Sequence, residues 1–202
     1  LYGVSAAFLT RFLASMGRQI VFADATEPAA VAQALARLER PRWVLVETVS
    51  NPLNVVAPLP DLAAVAEGAG AGLMVDNTFA NPLGCRPLEH GARVVVESLS
   101  KSIAGHSDVH GGFVGGGRDE VARTWDAMIH LGSCLDPHAA SLIWRGLKTL
   151  GLRTRAMSAS ASLLAARLAT HPRVAEVWHP SLAPFDGPRR LLDEPGGMLA
   201  FA

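Results

Sequence analysis

The sequence has no excess of either charge: 18 Lys and Arg stand against 18 Asp and Glu in 202 residues. No run of basic residues disturbs that balance, so a nucleic-acid partner has no electrostatic support. Cysteine is scarce too. Cys85 and Cys134 are far apart and fit no metal or redox spacing, so a reduced, cytoplasmic setting is expected. The apolar runs are of strand length, short of the ~20 residues a membrane span needs, and no signal peptide is visible, so the chain is expected to be soluble without a membrane partner. Gly-x-Ser-x-Gly is missing, which removes the elbow of a serine hydrolase. Gly115-Gly116-Gly117-Arg118 lacks the lysine-hydroxyl pair of a Walker loop and the dinucleotide spacing, and reads as a turn. His106 and His110 sit four apart like helical metal ligands, but Gly105, Gly111 and Gly112 oppose a helix and no third ligand is evident, so no metal is expected.

What the chain does have is apolar content, half of its residues, enough for a sizeable core in one domain or one and a fraction. Phe8, Phe12, Leu13 and Met16 at helical spacing predict a helix from about Ser5 to Met16, and Ile20-Val21-Phe22 a short strand after it. Pro28 opens a helix through Ala34 and Leu38, and Pro41 precedes a strand at Val44-Leu45-Val46. Pro60-Asp61 opens the next helix. The glycines from Gly68 to Gly72 break it before the strand Leu73-Met74-Val75, which delivers Asp76 at its carboxyl end. Val94-Val95-Val96 does the same for Ser98, and Gly111-Gly112-Phe113-Val114 reads as a further strand. Helices are predicted at about Glu120 to Leu131, Pro137 to Leu147 and Leu152 to Thr170, then strands at Val174 to Trp178 and Met198 to Phe201. Val- and Leu-rich strands alternating with helices give an α/β fold with a mostly parallel sheet covered on both faces. Ligands of such sheets sit at the carboxyl ends of the strands, where Asn51, Asp76, Ser98 and Lys101 all fall.

Among these, Ser98-Leu99-Ser100-Lys101 carries the most chemistry. A lysine is a covalent nucleophile only when its amine is partly deprotonated or already condensed, and a dry crevice at a strand end meets that need. Two hydroxyls beside it can donate to a phosphate, and if the backbone stays extended their alternate spacing puts both on one side. A carboxylate such as Asp76 can hold a pyridinium nitrogen protonated. Lysine plus aspartate is the arrangement of a pyridoxal phosphate enzyme. Taken singly, each residue has a plainer reading: a solvated lysine, polar loop serines, an Asp-Asn turn at Asp76, a turn residue before Pro52 at Asn51.

Four motifs in order change that balance: Glu47-Thr48-Val49-Ser50-Asn51-Pro52, Val75-Asp76-Asn77-Thr78-Phe79, Ser98-Leu99-Ser100-Lys101 with Gly105-His106-Ser107-Asp108, and Arg145-Gly146-Leu147-Lys148-Thr149-Leu150. Together they resemble the Cys/Met-metabolism pyridoxal phosphate enzymes, which include cystathionine γ-synthase, cystathionine γ-lyase, methionine γ-lyase and O-acylhomoserine sulfhydrylase. The resemblance runs from Tyr2 to the last residue. It implies the aspartate-aminotransferase-like large domain over residues 1–151, with a linking helix and the start of a smaller α+β domain over 152–202. It also implies that Lys101 binds pyridoxal 5'-phosphate covalently and shuttles protons, that Asp76 faces the ring nitrogen, and that Ser98 and Ser100 hold the phosphate. By the same resemblance Tyr2 stacks on the ring and assists proton transfer, and Asn51 meets the phenolic oxygen.

The activity implied is γ-elimination or γ-replacement on a sulfur amino acid or O-acylhomoserine. The alternatives are a β-lyase, which shares these residues, and a non-catalytic fragment. A homo-oligomer, a tetramer made of tight dimers, is implied as well. Glu97 stands where the family commonly has histidine, Arg93 where aspartate is usual, and Val4 at a position that varies with activity. The chain opens at Leu1-Tyr2-Gly3 and closes on Met198-Leu199-Ala200-Phe201-Ala202 in mid-strand, so it is expected to be a fragment flanked on both sides. An upstream Tyr-x-Arg, a phosphate-binding Gly loop and a C-terminal arginine for the substrate carboxylate are family parts that it does not contain.

Overall fold

Strand β1 (Trp43–Glu47), strand β2 (Gly72–Asp76) and strand β3 (Val94–Ser98) are the apolar runs of the sequence, and they form a parallel ladder. Strand β4 (Gly112–Gly116) closes the four-stranded sheet antiparallel to β3, in the order β1-β2-β3-β4. The computed structural model describes residues 1–184 and 186–202. Within the sheet Glu47 pairs with Asp76, and Asp76 with Val96, so the ends of β1 and β2 lie level. That register sets their terminal carboxylates on one edge.

The helices begin where the sequence permits. Helix α2 (Pro28–Leu35) and helix α3 (Leu59–Gly68) each carry proline in the first turn, where the missing N–H costs nothing, and Asp61 suits the positive end of α3. Val31 and Leu35 of α2 join Leu59, Leu62 and Ala66 of α3, and these pack with Val46, Leu73 and Val75 from the sheet into one core. A second, smaller cluster has a different composition. Ile103, Ala104 and Val109 from the loop after β3 pack with Ile143 and Leu150. Those last two belong to helix α6 (Pro137–Leu147), capped by Asp136 accepting from the Ala139 N–H at 3.0 Å, and to helix α7 (Leu150–Leu168). The buried stripe of α7 is Leu150, Thr154, Ser158, Ala161 and Ala165, small residues at helical spacing that allow close approach. Strands β5 (Val177–Trp178) and β6 (Ala200–Phe201) form a separate antiparallel pair.

Two expectations are corrected, and a third is refined. Ile20-Val21-Phe22 is not a strand. It faces β1 across an open cleft of about 1640 Å³, so its backbone finds no ladder partner among the described residues, and a strand is only as real as its ladder. The expected first helix is present as one helical run over residues 3–15, made of helix α1 (Gly3–Ala7), a π-helical stretch over Phe8–Leu13 and a short last turn, with Phe8 and Phe12 stacked 5.2 Å apart but more than half exposed. Its apolar period therefore meets no core within this chain. Gly115-Gly116-Gly117 is not a turn: Gly115 and Gly116 end β4, and Gly117 caps helix α5 (Arg118–Leu131).

Candidate active site

Asp76 ends β2 with its two oxygens in different circumstances. Oδ1 accepts from the Thr78 amide at 3.0 Å and the Thr78 hydroxyl at 2.5 Å, the turn an aspartate after a strand commonly makes. Oδ2 has no hydrogen-bond partner among the described residues. The Thr78 hydroxyl in turn accepts from the Ser98 amide at 2.9 Å, which ties the end of β2 to the end of β3. At β1, Glu47 gathers the chain on its other side: its carboxylate accepts from the Tyr2 amide at 2.6 Å and the Asn51 amide at 3.3 Å. Tyr2, Asn51, Asp76 and Ser98 are thereby held by their main chains along one edge of the sheet. Tyr2 is half-exposed, and the Asn51 side chain makes no hydrogen bond among the described residues.

The segment after β3 departs from the extended form expected for it. It turns over at once: the Lys101 amide donates to the Ser98 carbonyl at 3.3 Å, Ala104 to Leu99 at 3.0 Å and Gly105 to Lys101 at 2.8 Å. Ser98 and Ser100 thus do not alternate along a strand. The Ser100 hydroxyl oxygen accepts from the Gly111 amide at 3.1 Å, which leaves its own proton to donate, while the Ser98 hydroxyl is uncommitted. Lys101 is exposed, not enclosed in a crevice, and its amine makes no ion pair or hydrogen bond among the described residues.

Behind this edge lies a buried polar chain. The Thr48 hydroxyl donates to Asn77 Oδ1 at 2.7 Å, and Asn77 Nδ2 donates to Glu97 Oε1 at 2.8 Å and to the Cys85 carbonyl at 2.9 Å. Burial pushes the Glu97 carboxyl up to about 7, with the Asn77 bond opposing and the charge of Asp76 adding to the rise. Burial likewise pushes the Cys85 thiol up to about 12.

A profile of the family described as "Cys/Met metabolism PLP-dependent enzyme" matches residues 1–202. This chain belongs to that family. L-methionine γ-lyase of Pseudomonas putida is 36% identical over 206 residues, covering 100% of this chain and 51% of that protein. Cystathionine γ-lyase of Bacillus subtilis is 34% identical over 206 residues, covering 99% and 53%. The crystal structure of a cystathionine γ-lyase from Micromonospora echinospora superposes with a TM-score of 0.92 at 33% identity, covering 100% of this chain and 54% of that one. The chain therefore spans about half the length of the relatives it matches.

Pyridoxal phosphate is the cofactor of the family, and the donor set here fits it. An amine, a hydroxyl and a carboxylate oxygen, each without a hydrogen-bond partner among the described residues, belong to residues at or just after the carboxyl ends of the neighbouring parallel strands β2 and β3. The residues that sequence reasoning missed are the ones that hold this set in place. Glu47 and Thr78 act through main-chain amides, which no motif displays. Glu97 carried a signal, a charged residue at the end of an otherwise apolar strand. Among the described residues no three His, Cys, Asp or Glu side chains are grouped to hold a metal, and no helix is long and apolar enough to cross a membrane.

Proposed function

We propose that this chain carries the cofactor site of a pyridoxal phosphate enzyme that performs γ-elimination or γ-replacement on a sulfur amino acid or O-acylhomoserine. The observation that carries the reading is that Asp76 at the end of β2, Ser98 at the end of β3 and Lys101 in the turn just after it keep Oδ2, Oγ and Nζ without hydrogen-bond partners among the described residues. Bound pyridoxal phosphate supplies an aldehyde that condenses with amines and a ring that accepts electrons from the adjacent carbon. Lys101 would hold that aldehyde, and its amine, when free, would take the proton from the substrate α carbon. The same amine would shuttle the second proton, from the β carbon, whose loss lets the substituent at γ leave with its bonding electrons. Asp76 Oδ2 would accept a hydrogen bond from a protonated ring nitrogen, with Thr78 fixing the carboxylate's orientation. Ser98 and Ser100 donate to the phosphate, Tyr2 stacks its ring on the cofactor, and Asn51 meets the phenolic oxygen.

Residues 1–151 form the cofactor domain in this reading, and 152–202 the linking helix and the start of a smaller one; the separate β5–β6 pair supports that division. A homotetramer built from tight dimers in the cytoplasm completes it, supported by the exposed Phe8, Phe12, Trp125 and Trp144 and by two free cysteines. A β-lyase is less favoured, because the relatives reported above are γ-lyases.

The test is reductive trapping. Borohydride reduction of the cofactor-loaded protein, followed by peptide mapping, is expected to place the pyridoxyl group on Lys101, and Lys101→Ala to abolish it. Labelling of Lys148, the only other lysine, would refute the assignment. Cystathionine as substrate separates γ from β cleavage by release of cysteine or homocysteine.

A further inference from the structure

Arg153, on the first turns of α7, meets no carboxylate among the described residues. Four of its five N–H donors are nonetheless placed, all on neutral oxygens. Nη1 donates to the Ser102 carbonyl at 2.5 Å, and Nη2 to the Ile103 carbonyl at 3.0 Å and the Gly146 carbonyl at 2.8 Å. Nε donates to the Thr149 hydroxyl at 3.0 Å. Two of those acceptors are the first two residues after Lys101. The same turn is fitted to α6 and α7 by glycine. A Cβ on Gly105, whose φ is +74°, would lie 2.1 Å from Arg153 Nη1, and one on Gly146 would lie 2.2 Å from the Ala104 carbonyl oxygen. Ile103 and Ala104 pack into the small cluster with Ile143 and Leu150, while Arg145 is paired with Asp108 further along the loop. Lys101 has no side-chain contact of this kind, so its direction is set by the main chain that carries it.

We propose that Arg153 is a positioning residue for Lys101: its guanidinium fixes the carbonyls of the turn after the lysine, and so the direction from which the amine reaches the ends of β2 and β3. The proposal rests on the cofactor role given to Lys101 above. Only a planar fork can serve these acceptors together, since a lysine at 153 presents a single nitrogen. The guanidinium faces carbonyl dipoles and no carboxylate among the described residues.

Arg153→Lys and Arg153→Met, each compared with the unchanged protein, decide the matter. Deuterium exchange measured without cofactor is expected to rise about tenfold or more at the amides of residues 102–105, with β1 to β3 unchanged. In the holoenzyme kcat is expected to fall about 10- to 100-fold while KM moves less than about threefold, because misplacement of the reacting amine is felt in the chemical step. The pH at which the visible band of the bound cofactor titrates should shift in both variants, more in Arg153→Met. Loop exchange and kcat per bound cofactor equal to those of the unchanged protein in Arg153→Lys would overturn the proposal, even if Arg153→Met fails to fold. If borohydride places no pyridoxyl group on Lys101 in the unchanged protein, the cofactor reading falls. The exchange measurement still decides whether Arg153 holds the turn.

Discussion

Glu97 offers a sharp quantitative test of the buried chain behind the site. Its carboxyl is 7% exposed, and burial, opposed by the Asn77 bond and reinforced by Asp76, raises it from 4.5 to about 7. In the folded protein Glu97 therefore keeps its proton through a range in which the unfolded chain has lost it. A group raised in this way stabilises the fold fully below about pH 4.5 and loses that contribution as the pH climbs through 7. At about 1.36 kcal/mol per unit the whole effect is on the order of 3 kcal/mol, most of it falling between pH 5 and 8. Glu97→Gln keeps an oxygen for Asn77 Nδ2 but cannot ionise. Urea unfolding of both proteins at pH 5, 6, 7 and 8 isolates the group, because every other titration cancels in the difference. The variant is expected to gain on the parent by an amount on the order of 2 to 3 kcal/mol between the two ends of that range. Parallel pH profiles would show that Glu97 is ionised in the fold at pH 5, and would refute the burial argument.

Two further substitutions probe the packing. Gly146→Ala puts a Cβ 2.2 Å from the Ala104 carbonyl oxygen, against backbone that has nowhere to yield, so a loss of about 3 kcal/mol in urea stability is expected together with less pyridoxyl trapping at Lys101. An unchanged unfolding midpoint would mean that α6 does not support the loop this closely. Thr48→Val preserves shape but leaves the buried Asn77 Oδ1 without its 2.7 Å donor, for an expected loss of about 1–3 kcal/mol by the same assay. A neutral result would indicate that water takes the place of the hydroxyl.

The strands β1 to β3 were legible because each is a short Val- and Leu-rich run ending in polar residues, and a strand buried on both faces has few other ways to be written. Helix starts were legible through Pro28, Pro60 and Pro137, since proline announces itself locally. Ile20-Val21-Phe22 has the same local signature as β1 and failed, because pairing is a property of two segments and only one was visible. The extended backbone on which the alternation of Ser98 and Ser100 depended is absent for a related reason. The spacing of two serines says nothing about whether the chain between them stays straight, and here the turn is imposed by contacts with α6 and α7.

By itself, then, the sequence determined the types and order of the main elements, the mostly parallel arrangement of the sheet, and the candidate residues Asp76, Ser98 and Lys101 at or just after the carboxyl ends of neighbouring strands. All of these follow from composition and period within a few residues. Tertiary structure alone decided which polar groups are consumed and which are left to act. Thr78 occupies one oxygen of Asp76 and leaves the other, Glu47 anchors Tyr2 and Asn51 by their amides, Glu97 is buried deeply enough to keep its proton, and Arg153 reaches back 51 residues to the turn after Lys101. Hydrogen bonds between segments distant in sequence, and the desolvation that makes them matter, exist only once the chain has been brought together.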